Sequence, residues 1–255
     1  MTTATIIDRV TAPSPAIDAR ATMSPRTTAR LTGALYLLTI LGGLFAQRFI
    51  SDRLIDPRDA AATARNILAH EGLYRLGFTI FLAELGCQVA MTALFYELLA
   101  PAGRGLSRLA AIFGLLGCTI KTIARLFFFA PLLLLANPQP FAALGAAQQQ
   151  SIALLLIDIN DHGAAIAMVF FGVYAMLRGW LVMRATFLPR ALGVLSAIAG
   201  VGWLAYLWPP LGYRYFPVIA LLGLLGSVAT IGWLLVVGVD ETQWREQARR
   251  AALSP

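Results

Sequence analysis

Between Leu154 and Ala165 the sequence reads LLLIDINDHGAA, which sets Asp158, Asn160, Asp161 and His162 within five positions of an otherwise apolar run. Carboxylates and an imidazole in such surroundings are the raw material of proton transfer, metal binding or buried ion pairing. Asp158 and Asp161 have the DxxD spacing that holds a metal against a phosphate in some membrane transferases. Such sites need a second acidic cluster, and Glu84 is the one acid available for it. Two more polar pairs interrupt apolar runs: Glu84 with Gln88, and Lys121 with Arg125. Each pair is four residues apart, so each lies on one face of a helix. Lys121 is the only lysine in the chain, beside nineteen arginines. A buried lysine is able to release its proton, whereas arginine stays charged in essentially any protein setting.

Other chemistry finds little support. Cys87 and Cys118 sit inside apolar runs without a CxxC or Cys/His spacing and read as small packing residues. His70 and Glu71 read as a solvated helix end, since no second helix-spaced histidine follows them. No Ser-His-Asp pattern and no glycine-rich phosphate loop stands out. No metal site and no cofactor are expected.

The elements that must position these side chains follow from composition. Of 255 residues, 58% are hydrophobic and only 13% are charged. The mean hydropathy is +0.72. Soluble domains are about a quarter charged, so the chain reads as an integral membrane protein. The net charge of +7 does not indicate a nucleic-acid partner, because the arginines punctuate hydrophobic segments instead of forming one patch. The expected partners are the lipid bilayer and a small molecule or proton; oligomeric state stays open.

About 20 apolar residues cross a bilayer as a helix. Six stretches qualify, at 31–50, 74–99, 107–135, 149–177, 188–208 and 215–238. All must be helices, since lipid leaves backbone amides no other partner. The expected fold is therefore all-α: a polytopic membrane bundle of six transmembrane helices at residues 30–239. A disordered cytoplasmic tail at 1–29 precedes it, and a cytoplasmic C-terminal tail at 240–255 follows. Residues 1–29 contain no apolar core of signal-peptide type.

Arginine distribution gives the direction. Arg9, Arg20, Arg26, Arg30, Arg104, Arg108, Arg178, Arg184, Arg190, Arg245, Arg249 and Arg250 fall on one face. The other face has Arg48, Arg53, Arg58, Arg65, Arg75 and Arg214, together with Asp52, Asp56, Asp59 and Glu71. Both termini are expected in the cytoplasm, with the chain in the inner membrane of a bacterial cell.

The stretch DPRDAAATARNILAHEG predicts a short amphipathic outer-surface helix between the first two spans. Asp56 would be its N-cap, Pro57 its first position and Gly72 its end, with Ala61, Ala64, Ile67 and Leu68 on one face. Gly114 and Cys118, Ser196 and Gly200, and Gly223 and Ser227 are small-xxx-small steps that read as helix packing. Trp203, Tyr206, Trp208, Tyr213 and Tyr215 read as an interfacial belt.

Three stretches, ARLTGALYLLTILGGLFAQ, SDRLIDPRDAAATARNILAHEGLYRLG and FLPRALGVLSAIAGVGWL, resemble the bacterial membrane family of domain of unknown function 4386. The resemblance covers residues 29 to 239. It implies a small polytopic membrane protein and supplies no reaction, ligand or catalytic residue.

Counting about 1.5 Å per residue from segment midpoints near Cys87, Lys121 and Gly163 gathers the polar groups into one layer. That layer, from midplane to outer leaflet, holds Glu84, Gln88, Lys121, Arg125, Asp158, Asn160, Asp161 and His162. One charge at the bilayer centre costs at least about 2.5–3.5 kcal/mol. Five charges must therefore face one another or a wet cavity, and Arg125 is expected to pair with Asp158. Three readings stay open. The first is a small-solute or proton-linked carrier or sensor with a polar pocket among helices two, three and four. The second is a structural or accessory subunit whose ion pairs only dock helices. The third is an intramembrane metal-dependent enzyme acting on a lipid. A pocket open on one side marks the first reading; a dry, closed ion-pair cluster marks the second.

Overall fold

The computed structural model describes residues 23–137, 139–141 and 143–253, and among these the regular structure is entirely helical. Six helices are long and apolar enough to cross a membrane: Pro25–Leu54, Glu71–Ala102, Arg104–Ala136, Ala146–Arg184, Arg190–Leu207 and Phe216–Val236. They are the first to sixth spans below. The chain is a multi-pass membrane bundle, as its composition requires.

Local chemistry sets the ends. The Ser24 hydroxyl accepts from the Thr27 amide and Pro25 takes the first helical position, so the first span begins inside the stretch expected as a tail. Most of that stretch, residues 1–22, lies outside the described residues. The first span passes through a π-helical turn, Ala46–Ser51, before it ends. The sixth span stops where Gly238 takes a φ of 79° and donates its amide to the Trp233 carbonyl. Glycine accepts that left-handed conformation at no steric cost.

The residues after Gly238 form a further helix, Glu241–Leu253. It docks on the bundle: Trp244 Nε1 donates to the Leu98 carbonyl at 2.9 Å, and Gln247 Oε1 accepts from the Thr186 amide at 2.9 Å. A short helix, Ala60–Ala69, also forms in the first long connection. Its N-cap is Asp59, whose side chain accepts from the Ala62 amide, and not the expected Asp56. Asp56 instead accepts from the Arg58 amide and shapes the turn around Pro57. Thr63, Ala64 and Ile67 are its buried residues, while Leu68 is exposed.

Each span packs on the next in sequence, and the sixth closes on the first, which makes a ring of six. The fourth and fifth spans come closest. A Cβ built on Gly200 would lie 2.6 Å from the Gly172 carbonyl oxygen, and one on Gly179 would lie 2.6 Å from that of Gly193. Small residues therefore bring backbones together here.

Two apolar clusters fill the ends of the ring. One, toward the chain termini, includes Phe95, Leu98, Leu181 and Leu234. The other, at the opposite end, includes Ile50, Tyr74, Phe81, Phe128 and Leu132.

The fourth span is 39 residues long. A helix of that length measures about 58 Å, nearly twice the hydrocarbon thickness. This overturns one expectation. Arg178 belongs to the helix and not to a connection, so it leaves the set of loop arginines. The midpoint stays near the expected Gly163, at Ala165.

Candidate functional site

Depth is best counted from the terminal end of each span at about 1.5 Å per residue. On that scale Glu84 and Lys121 lie about 26–27 Å in, Arg178 and Ser196 about 9 Å in, and Asp161 and Asp158 about 35–39 Å in. The last two are therefore the farthest from the termini. The expected single layer divides into buried or half-buried groups, Glu84, Gln88, Lys121, Arg125 and Asn160, and exposed ones, Asp158, Asp161 and His162, while Arg178 and Ser196 form a second buried cluster outside it.

The deepest pair is Lys121 with Glu84. Lys121 Nζ donates to both Glu84 carboxylate oxygens, at 2.9 and 3.0 Å. The two side chains are 13% and 3% exposed. Gln88, one turn along from Glu84, has its Oε1 buried without a hydrogen-bond partner among the described residues.

Arg125 is one turn further along the third span. Its guanidinium carbon is 3.6 Å from the centre of the Phe81 ring, and its Nη1 donates to Asn160 Oδ1 at 3.2 Å. Asn160 is buried and passes the contact on, since its Nδ2 donates to Asp161 Oδ1 at 2.8 Å. Tyr74 stacks on Phe128 and donates its hydroxyl to the Phe128 carbonyl.

The expected Arg125–Asp158 pair does not form. Asp158 and His162 are 63% and 57% exposed and face each other one turn apart, with 3.5 Å between carboxylate oxygen and Nδ1. Asp161 is also an exposed residue. Asp158, Asp161 and His162 lie on a face of the fourth span that no neighbouring span covers, while Asn160 between them is buried. Close to them the His162 ring packs edge-on to Tyr213, and Tyr213 packs edge-on to Tyr206. Outside the spans, partial burial pushes the Tyr213 hydroxyl above its usual range, and the charges of Asp161 and Asp158 act in the same direction.

Among the described residues no group of three His, Cys, Asp or Glu side chains is arranged to hold a metal ion.

The second buried cluster was missed in the sequence. Arg178 Nε and Nη2 both donate to Ser196 Oγ, at 3.2 and 3.0 Å. The guanidinium lies 4.9–5.4 Å from the ring centres of Phe95, Tyr174 and Tyr36. Tyr36 Oη and Ser227 Oγ are 2.7 Å apart. Ser196 and Ser227, which read as packing residues, thus also supply hydroxyls.

Both clusters line one cavity of about 560 Å³. Glu84, Gln88 and Lys121 form its waist, while Arg178, Ser196, Tyr36, Tyr174 and Ser227 form its floor. All six spans contribute to its wall, and the fourth does so through Phe171, Tyr174 and Arg178 instead of Asp158–His162. Leu44, Phe216 and Leu221 line the cavity and are also exposed, which marks its mouth between the first and sixth spans. Those spans touch near the terminal end, where Gly33 meets Leu234 and Leu235. Beyond Tyr36 the first span turns toward the second, bringing Gly42 and Gly43 against Glu84.

The sequence model of the family described as domain of unknown function (DUF4386) matches residues 31–238. Comparison with curated proteins and with solved structures returns no match.

Proposed function

Because the chain belongs to the DUF4386 family, whose description assigns no activity, we propose its role from the cavity: a membrane-embedded binding protein, of carrier or sensor type, for a small solute. The observation that carries this reading is a cavity of about 560 Å³ with Glu84, Lys121 and Arg178 in its wall. Ligand sites span about 300–1,000 Å³ and combine apolar walls with a few polar groups. Docking alone explains the closed Glu84–Lys121 pair, but it requires neither the space beside that pair nor Arg178 in its wall. A lysine in this pair, in a chain otherwise supplied with arginine, supports proton-linked binding.

Accessibility tests the reading. In a chain with Cys87→Ser and Cys118→Ser, the variant Ala199→Cys puts a thiol in the cavity wall, whereas Leu126→Cys puts one on the 64% exposed outer face of the third span. Thiolate is the reactive form, and it is not sustained in hydrocarbon. A small neutral methanethiosulfonate is expected to label Ala199→Cys at least about tenfold faster than Leu126→Cys. Equal rates would mean a dry, closed bundle and would favour the docking role.

The arginine distribution also supports a cell-membrane location with both termini in the cytoplasm. A reporter fused after Pro255 is expected to be active in the cytoplasm, and one inserted near Gln148 to be active on the far side. Cytoplasmic activity from the Gln148 insertion would reverse the orientation.

A further inference from the structure

Arg178 has no acid beside it. Among the described residues no carboxylate oxygen lies within 4.0 Å of its guanidinium. Among the described residues Glu84 is the only carboxylate lining the cavity, and both its oxygens are taken by Lys121. Two bases and one acid therefore leave the cavity wall with one uncompensated positive charge. The rings of Tyr36, Phe95 and Tyr174 soften that charge but do not neutralise it. Arg178 is 7% exposed, and a buried charge is costly unless it is paired.

A second observation points the same way. Tyr174 is 5% exposed and lines the cavity, and its hydroxyl lies beside the Arg178 guanidinium and the Thr92 side chain. A guanidinium has five N–H donors in a planar fork that fits carboxylate or phosphate oxygens. The floor thus offers a fork, a tyrosine hydroxyl beside it and a formal charge of +1.

Above the floor, apart from the Glu84–Lys121 pair and Gln88, the walls are apolar, through Met91, Met168, Phe171, Trp203 and Leu224. The mouth opens between two spans and past exposed leucines, not through a polar funnel.

Resting on the reading of the cavity as a binding site, we infer that its ligand is an amphipathic monoanion. Its single carboxylate or phosphate head sits at Arg178, Ser196 and Tyr174, and its apolar body points to the mouth between the first and sixth spans. The same chemistry is found in an acid released from bilayer lipid and in a water-borne aromatic acid.

The test uses the full chain in nanodiscs of zwitterionic lipid, loaded with radiolabelled laurate. Unlabelled laurate, dodecanol and benzoate are compared as competitors. Laurate is expected to displace the label at a concentration at least about tenfold below that of dodecanol, the fold-change of one charged hydrogen-bonded contact. Arg178→Gln is expected to bring the two within about twofold, and Arg178→Lys to retain part of the preference. Should Arg178→Gln not fold, the laurate–dodecanol comparison in the unaltered chain decides alone. Benzoate competing as well as laurate would identify water as the source of the acid; laurate competing alone would identify the bilayer. Equal competition by laurate and dodecanol would overturn the assignment of a charged head. Absence of displaceable laurate would do the same, and if Ala199→Cys were still labelled rapidly, the cavity reading would stand without it.

Discussion

Lys121→Met is expected to destabilise the folded bundle by about 3–5 kcal/mol, the usual cost of stranding one member of a buried ion pair. The carboxylate left behind, Glu84, has a side chain only 3% exposed. It would lose the donor that satisfies both its oxygens. Phe81 and Leu85 beside it on the second span are buried and apolar, so they offer no replacement. Glu84→Gln in the same chain removes the stranded charge, and the double variant is expected to recover more than half of the loss. Reversible unfolding in mixed micelles measures all three variants as a double-mutant cycle. Simple addition of the two single losses would show that the contact contributes nothing specific.

The equal depth of Glu84 and Lys121 is legible in the sequence, because both sit well inside apolar segments on adjacent spans. Their pairing is not, since depth alone leaves Arg125, Asp158 and Asp161 as equally good partners. The place of Arg178 is obscured for another reason. The fourth expected segment ends at residue 177, yet GWLVM continues the apolar run up to Arg184, and that continuation is the signal that Arg178 belongs to the helix. The exposure of Asp158, Asp161 and His162 depends on which face of the helix its neighbours cover, which no single segment shows. The aromatic surroundings of Arg178 could not have been read at all, since Tyr36, Phe95 and Tyr174 come from three different spans. The ring order of the helices, by contrast, follows from short connections between neighbours. Its closure between the first and sixth spans rests on Tyr36 with Ser227 and on Gly33 with Leu234.

The far end of the bundle separates the two accounts of Arg125. If depth from the terminal side is right, Asn160 and not Asp158 is the residue that Arg125 depends on. Asn160 is 2% exposed and accepts from Arg125 Nη1, whereas Arg125 Nε is buried without an acceptor among the described residues. Asn160→Leu keeps nearly the same shape and removes the only side-chain oxygen hydrogen-bonded to that guanidinium among the described residues. It also cuts the link to Asp161, the one acid that Asn160 couples to the buried cation. Stacking on Phe81 remains, but a ring supplies no acceptor in the guanidinium plane. The expected loss is about 1.5–3 kcal/mol, that of one hydrogen bond to a buried charged group. Asp158→Leu, at an exposed position, is expected to change stability by no more than about 0.5 kcal/mol. Arg125→Leu combined with Asn160→Leu should cost less than the sum of the two, while Arg125→Leu combined with Asp158→Leu should be additive. The same micelle unfolding experiment reads each combination. A large loss from Asp158→Leu, with coupling to Arg125, would return the acid cluster to the interior and undo the depth assigned to the fourth span.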